Sequence, residues 1–206
     1  MSTCIKFCGL NRIEDIQYAN ELKPEYVGFV FWEKSKRHVT REEVIEFRKT
    51  LLPEIKVVGV FVDEYYGTVA ELLNKGIIDI AQLHGNEDEE YIKMLRTRSF
   101  NKPIMKAFVI RDWEDILIAS KSSADYLLLD SGAGTGHTFN WELIRGTQFE
   151  QPVFLAGGLD SDNVVSAIKA VHPYAVDVSS GIEVDGVKNY SLMWRFERKV
   201  RKYEEN

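Results

Sequence analysis

The chain has only two cysteines and five prolines, and no surplus of positive charge. Each shortage removes a class of explanation. Cys4 and Cys8 lie in one strand-like run, so their Cα atoms stand about 13 Å apart at ~3.3 Å per residue. A disulfide needs roughly 7 Å or less, so they cannot pair, and two thiols alone make a poor zinc site. Reduced thiols fit a reducing compartment, and a cytoplasmic location is expected. The 26 basic residues are outnumbered by 32 acidic ones, for a net charge of −6. That balance argues against a nucleic-acid partner, which needs a basic face; an anionic ligand would have to be held by local features. No apolar run approaches the roughly 20 residues of a membrane span, and the start MSTCIKFCGL lacks a signal-peptide pattern. No membrane partner is expected.

What is present is an ordinary globular composition, with 45% apolar and 28% charged residues in 206. Strand-like runs recur at Cys4–Cys8, Tyr26–Phe31, Lys56–Val62, Ile77–Leu83, Pro103–Val109, Asp125–Leu129, Pro152–Leu155 and Tyr174–Val178. Most are nearly continuous apolar runs, as expected for parallel strands covered on both faces. Helix signals fall between them. Asn11 precedes Glu14, Thr40 precedes Glu43 and Asn86 precedes Glu89 at capping distance. Asp112 can cap Trp113–Lys121, and Asp160 or Ser161 can cap a helix through Val171. Eight such alternations predict a single (β/α)8 barrel of minimal length over residues 1–206; a doubly wound sheet is the alternative. The mixed-sign run Arg195–Asn206 reads as the solvated end of the last helix.

The C-terminal tips of barrel strands carry the chemistry. The sixth run ends on Asp130, an acid at the tip of a buried strand, followed by the glycine-rich SGAGTG. Alone it is either a turn residue or a functional acid. On the first strand Cys4, Lys6 and Cys8 share a face by alternation, which puts Cys8 at the mouth above Lys6 if that face points inward. The second tip is followed by Lys34, Lys36, Arg37 and His38, of which Arg37 offers a planar fork for a carboxylate. His84 follows the fourth strand, as a loop residue or a ligand contact. Asp177 lies in the eighth. Gly157 and Gly158, then Ser180 and Gly181, follow strands seven and eight, the recurrent place for a phosphate in barrels.

These residues fall into motifs: KFCG (Lys6–Gly9), GFVF (Gly28–Phe31), SKR (Ser35–Arg37), VGVFV (Val58–Val62), QLHG (Gln82–Gly85), LLLD (Leu127–Asp130), GTG (Gly134–Gly136), LAGGL (Leu155–Leu159) and DVSSGIE (Asp177–Glu183). In this order the chain resembles the phosphoribosylanthranilate isomerase family of tryptophan biosynthesis. Phe7 stands where that family usually has Ile, and Asn140 and Asn189 where it commonly has Asp. The resemblance implies an Amadori rearrangement of N-(5-phosphoribosyl)anthranilate to 1-(2-carboxyphenylamino)-1-deoxyribulose 5-phosphate. Its general acid falls on Asp130 and its general base on Cys8. Arg37 would hold the anthranilate carboxylate, His84 and Asp177 would face the substrate, and Gly157, Gly158, Ser180 and Gly181 would bind phosphate. Partial burial would raise the Asp130 pKa and nearby positive charge would favour the Cys8 thiolate; Lys6 is a candidate for that charge, unless it simply pairs with Asp177. The resemblance implies no metal and no organic cofactor, a small-molecule substrate, and a monomer or homodimer. Three rivals stand beside it. The histidine-pathway ribotide isomerase has an Asp where Cys8 stands, a Schiff-base enzyme would use Lys6 or Lys106, and a phosphate-binding barrel without catalysis would need neither Cys8 nor Asp130.

Overall fold

A computed structural model describes residues 2–130 and 141–204. Eight parallel strands close into a barrel in chain order: β1 (Cys4–Cys8), β2 (Tyr26–Val30), β3 (Lys56–Phe61), β4 (Ile80–Leu83), β5 (Ile104–Val109), β6 (Tyr126–Asp130), β7 (Val153–Leu155) and β8 (Ala175–Val178). β1 pairs with β8 to complete the ring, with Lys6 in register with Asp177. The helices are α1 (Ile13–Leu22), α2 (Arg41–Thr50), α3 (Tyr66–Asn74), α4 (Glu89–Arg98), α5 (Trp113–Ala119), α6 (Val164–Val171) and α7 (Tyr190–Glu204). Between β6 and β7 the described residues hold only a 3-10 turn, Trp141–Leu143. A short antiparallel hairpin, β9 (Glu183–Val184) and β10 (Val187–Lys188), follows β8. No helix among the described residues is long and apolar enough to cross a membrane.

Strand alternation sorts the chain into two apolar layers. Ile5, Phe7, Val27, Phe29, Leu127, Leu129, Leu155, Val176 and Val178 face the helices and join their inner faces in the larger core. Tyr26, Val58, Ile80, Met105, Leu128, Phe154 and Ala175 fill the barrel, with Cys4, Ala107 and Tyr126 packed against them. Phe154 meets Tyr26 and Tyr126 edge-on, with centroids 5.1 and 5.6 Å away, and the Tyr26 and Tyr174 hydroxyls hydrogen-bond at 2.8 Å. Aromatic rings therefore plug the barrel at the N-terminal ends of the strands, and the polar inward residues gather toward the other end.

The Thr40–Glu43 capping box forms as expected: Thr40 Oγ1 accepts from the Glu43 N–H and Glu43 Oε2 accepts from the Thr40 N–H. Asp112 caps α5, which stops at Ala119 rather than Lys121. Other helix starts shift. Asp15, not Glu14, closes the first box, because Arg12 forks onto its carboxylate. Asp88 caps α4 in place of Asn86, whose N–H and side chain are taken by Asp63. Asp160 accepts from the Asp162 and Asn163 N–H groups in a turn that precedes α6, so Asn163 takes the cap position and the helix begins at Val164. β4 begins at Ile80 because Ile77 and Ile78 are drawn back onto the Leu72 carbonyl at the end of α3.

Phe154 is fully buried at the centre of the aromatic plug. Phe154→Ala should destabilise by about 3–5 kcal/mol, against about 1 kcal/mol for Thr40→Ala at the α2 cap. Urea unfolding of both variants checks the ranking; equal, small losses would mean that the plug is not a packed core.

Candidate active site

Cys8 is the last residue of β1, and Lys6 lies two residues below it on the same inward face. Both are buried. The space for the thiol comes from the neighbouring strand: a Cβ placed on Gly28 would sit 2.7 Å from Cys8 Sγ and 3.3 Å from Lys6 Cε. Lys6 Nζ donates to Asp177 Oδ2 at 2.9 Å inside the barrel. Asp177 Oδ1 is buried and has no hydrogen-bond partner among the described residues, an arrangement that costs free energy unless a ligand supplies a donor.

The electrostatics around the thiol are opposed. Burial pushes the Cys8 thiol up; Lys6 and Lys188 pull it down, while Asp177 adds to the rise, and the net direction is upward. This reverses the expectation that nearby charge leaves a thiolate. Lys6 is already neutralised by Asp177, so what reaches Cys8 is closer to a dipole than to a cation. Burial likewise works against the Lys6 ammonium, but the Asp177 charge and then Cys8 outweigh it and hold Lys6 above its usual range.

Asp130 ends β6 on the inward face, which it shares with Leu128 and Tyr126. His84 Nε2 stands 4.0 Å from Asp130 Oδ2, and the Gln82 amide lies 3.0 Å from His84 Nδ1. Burial lowers the His84 pKa against the pull of Asp130, so the ring is neutral at pH 7. Lys106 does not share this space. It alternates with the inward Met105 and Ala107 and points outward, where Nζ bonds Glu87 Oε2 at 2.9 Å and the Gly85 carbonyl at 2.8 Å. A lysine committed to a buried carboxylate is a structural cation, which removes it as a Schiff-base candidate.

Arg37 comes in from the loop after β2. Gly9, at φ +75°, lets it do so: a Cβ there would fall 2.4 Å from Arg37 Cδ and 3.3 Å from Ser179 Oγ. The guanidinium forks onto Glu183, with Nε to Oε1 and Nη2 to Oε2 both at 2.6 Å. At the neighbouring tip of β7, Gly157 and Gly158 have φ values of +89° and +64°. Gly181 backs so closely onto the loop after β7 that a Cβ would lie 2.0 Å from the Leu159 carbonyl oxygen. The two loops thus meet, and the backbone N–H groups of Gly157, Gly158, Ser180 and Gly181 donate to no backbone carbonyl among the described residues. The GTG motif and Asn140 lie outside the described residues.

Of the residues named from sequence, Cys8, Arg37 and Asp177 thus stand at the β1–β8 side of the mouth. Asp130 meets His84, and the glycine tips form one cradle. Sequence reasoning missed Glu183, Lys188, Gln82, and the reason for Gly9 and Gly28. Lys188 Nζ is buried and bonds Glu183 Oε1 at 2.6 Å and the Ser179 carbonyl at 3.0 Å. A signal was present: Val184-Asp185-Gly186-Val187 has the Asp-Gly centre of a two-residue hairpin, with φ +52° and +79°. A hairpin there puts Lys188 opposite Glu183.

Comparison with known proteins agrees with this geometry. Residues 5–199 match the family model described as N-(5'phosphoribosyl)anthranilate (PRA) isomerase. The chain is 44% identical to the N-(5'-phosphoribosyl)anthranilate isomerase of Thermoanaerobacter sp. (strain X514), over 96% of this chain and 97% of that protein. It is 46% identical to that of Caldanaerobacter subterraneus subsp. tengcongensis, with the same coverage. The crystal structure of phosphoribosyl anthranilate isomerase from Thermotoga maritima superposes with a TM-score of 0.88 at 32% identity, covering 98% of this chain and all of that one. A structure of such an isomerase in complex with reduced 1-(o-carboxyphenylamino)-1-deoxyribulose 5-phosphate gives 0.85 at 32%, with the same coverage. A barrel with a thiol, an acid and a glycine cradle at one mouth, matched over nearly its whole length, is a member of the N-(5'-phosphoribosyl)anthranilate isomerase family.

Proposed function

We propose that the chain converts N-(5-phosphoribosyl)anthranilate to 1-(2-carboxyphenylamino)-1-deoxyribulose 5-phosphate, with Asp130 as general acid and Cys8 as general base. The supporting observation is the placement of both groups at inward strand tips of one mouth, in a chain of this family. In the first step Asp130 gives its proton to the ribose ring oxygen. The C1–O bond breaks as the nitrogen lone pair forms the C1=N bond, opening the sugar. In the second step the Cys8 thiolate takes the C2 proton, and the C2–H electrons move through C1 to nitrogen, leaving an enolamine. Delivery of a proton to C1 and loss of the C2 hydroxyl proton give the ketose and restore the thiolate and the protonated acid, so C1 is reduced as C2 is oxidised and no external electron acceptor is needed. His84, neutral and 4.0 Å from Asp130, faces the substrate. Asp177 offers its unpartnered oxygen to the substrate amine or hydroxyl. Arg37 receives the anthranilate carboxylate, and the glycine cradle receives the phosphate.

Incubating the purified protein with phosphoribosylanthranilate should abolish the substrate's fluorescence at a catalytic rate. The histidine-pathway ribotide, run in parallel, should not be turned over, since its isomerases carry an acid where Cys8 stands. Turnover of only the second substrate would exchange the two readings.

Each catalytic assignment has its own variant. Asp130→Asn keeps the shape but removes the transferable proton, and Cys8→Ser substitutes an alcohol that does not ionise near neutral pH. Each should lower kcat by about 10²–10⁴-fold while the ketose product still binds. A folded variant with near-parental kcat would refute its assignment.

The raised Cys8 pKa makes a pH prediction. A base works only when deprotonated, so kcat/KM should still be rising with pH at and above about 8.5, the ordinary thiol value. A plateau already reached at pH 7 would show either that Cys8 is not the base or that burial does not govern it.

Ser180→Asp tests the phosphate cradle better than a change at Gly157, whose positive φ would strain any side chain. A carboxylate beside the cradle should weaken product binding and competitive inhibition by inorganic phosphate at least about tenfold. Unchanged values would move the phosphate elsewhere.

A further inference from the structure

Glu183 has no part in the chemistry above, yet the structure invests a whole element in it. The hairpin β9–β10 turns on Asp185-Gly186 and sets Glu183 directly across from Lys188. Its base is tied down by the Asn189 N–H to the Ile182 carbonyl, 2.9 Å, and by Arg12 Nη2 to the Lys188 carbonyl, 3.1 Å. Within it Glu183 Oε1 accepts from both Lys188 Nζ and Arg37 Nε at 2.6 Å, and Oε2 accepts from Arg37 Nη2 at 2.6 Å. Burial works to raise the Glu183 pKa, but the hydrogen bonds from Arg37 and Lys188 outweigh it and keep the carboxylate ionised at neutral pH.

We propose that Glu183 is a positioning residue for substrate recognition: it clamps the Nε/Nη2 edge of Arg37 so that the opposite edge faces the substrate's carboxylate. This rests on the reading of Arg37 as the carboxylate-binding residue. A guanidinium carries five N–H donors in a planar fork, and Glu183 takes one from Nε and one from Nη2. Arg37 keeps about a third of its side chain exposed, whereas Glu183 is only 6% exposed, so the clamp is covered and the remaining donors are the accessible part. Two constraints hold the arginine stem in line: Gly9, which leaves room for Cδ, and Glu183 itself. Lys188 explains why a carboxylate so close to a carboxylate-binding site does not repel the ligand. Burial lowers the Lys188 pKa against the pull of Glu183; with Lys188 protonated, it and Arg37 set two positive charges against the one negative on Glu183, leaving a net +1 for the substrate's anion. A hairpin-stabilising ion pair alone would need Lys188 and Glu183, but it would not need the arginine of another loop forked onto the same carboxylate.

The experiment measures affinity for two ligands, the carboxyphenylamino ketose phosphate and its phenylamino counterpart without the carboxylate, by calorimetry. The proteins are the parent, Glu183→Gln, Glu183→Asp, Arg37→Ala and the Glu183→Gln/Arg37→Ala double variant, with circular dichroism confirming the fold. The expected result is that Glu183→Gln weakens the carboxylated ligand about tenfold or more and leaves the other ligand unchanged. Glu183→Asp should recover part of the loss, and Glu183→Gln should add nothing in the Arg37→Ala background. If Arg37→Ala leaves carboxylate affinity intact, the reading of Arg37 fails and the clamp with it. If Arg37→Ala weakens it and Glu183→Gln does not, only the clamp fails. Tighter binding by Glu183→Gln would make Glu183 a competitor of the ligand, and equal weakening of both ligands would make it merely structural. Either result overturns the proposal.

Discussion

A lysine and an aspartate buried inside a barrel are the constraint on which the mouth depends. Lys6 is completely buried, and Asp177 is its partner across the seam where β8 returns to β1. Taking two charges out of water costs several kcal/mol each, and their attraction offsets this only with good geometry. The in-register pairing of Lys6 with Asp177 supplies that geometry, so the pair can form only when the barrel closes in one register. An apolar pair of similar volume could close the seam as well. What it could not do is leave a carboxylate oxygen unpartnered beneath a thiol.

From that pair the rest of the mouth is built outward through a series of ion pairs. Lys6 is offset by Asp177, Lys188 and Arg37 share Glu183, and Lys106 is matched to Glu87 outside the barrel. Because each cation near Cys8 is already paired, desolvation decides the state of the thiol. The acid across the mouth has a different neighbour: the neutral ring of His84 lies 4.0 Å from Asp130.

How much of this was legible in the sequence depended on how local the cause was. The eight strands were readable because strands covered on both faces are continuous apolar runs, and Cys4–Cys8 and Lys56–Phe61 appear almost as expected. Asp130 and the glycine tips were readable because an acid or paired glycines at the end of such a run is unusual. Capping failed where another side chain intervened, from far along the chain when Asp63 took Asn86 and from the same turn when Arg12 took Asp15. The direction of the Cys8 pKa shift failed for the same reason. Spacing shows that Lys6 lies below Cys8, but only the closed ring shows that Asp177 neutralises it. Glu183 and Lys188 needed the hairpin to be recognised, and Gly28 needed the neighbouring strand's register.

The claim on which the rest turns is that burial, rather than its neighbouring lysines, sets the protonation of Cys8. The most direct measurement is an NMR titration of the Cys8 β-carbon in protein isotope-labelled at cysteine, with Cys4→Ser used to assign the second signal. The account predicts a midpoint above the ordinary thiol value of about 8.5 in the ligand-free protein. A midpoint at or below neutral pH would mean that Lys6 and Lys188 hold a standing thiolate, and the account of this site would be wrong.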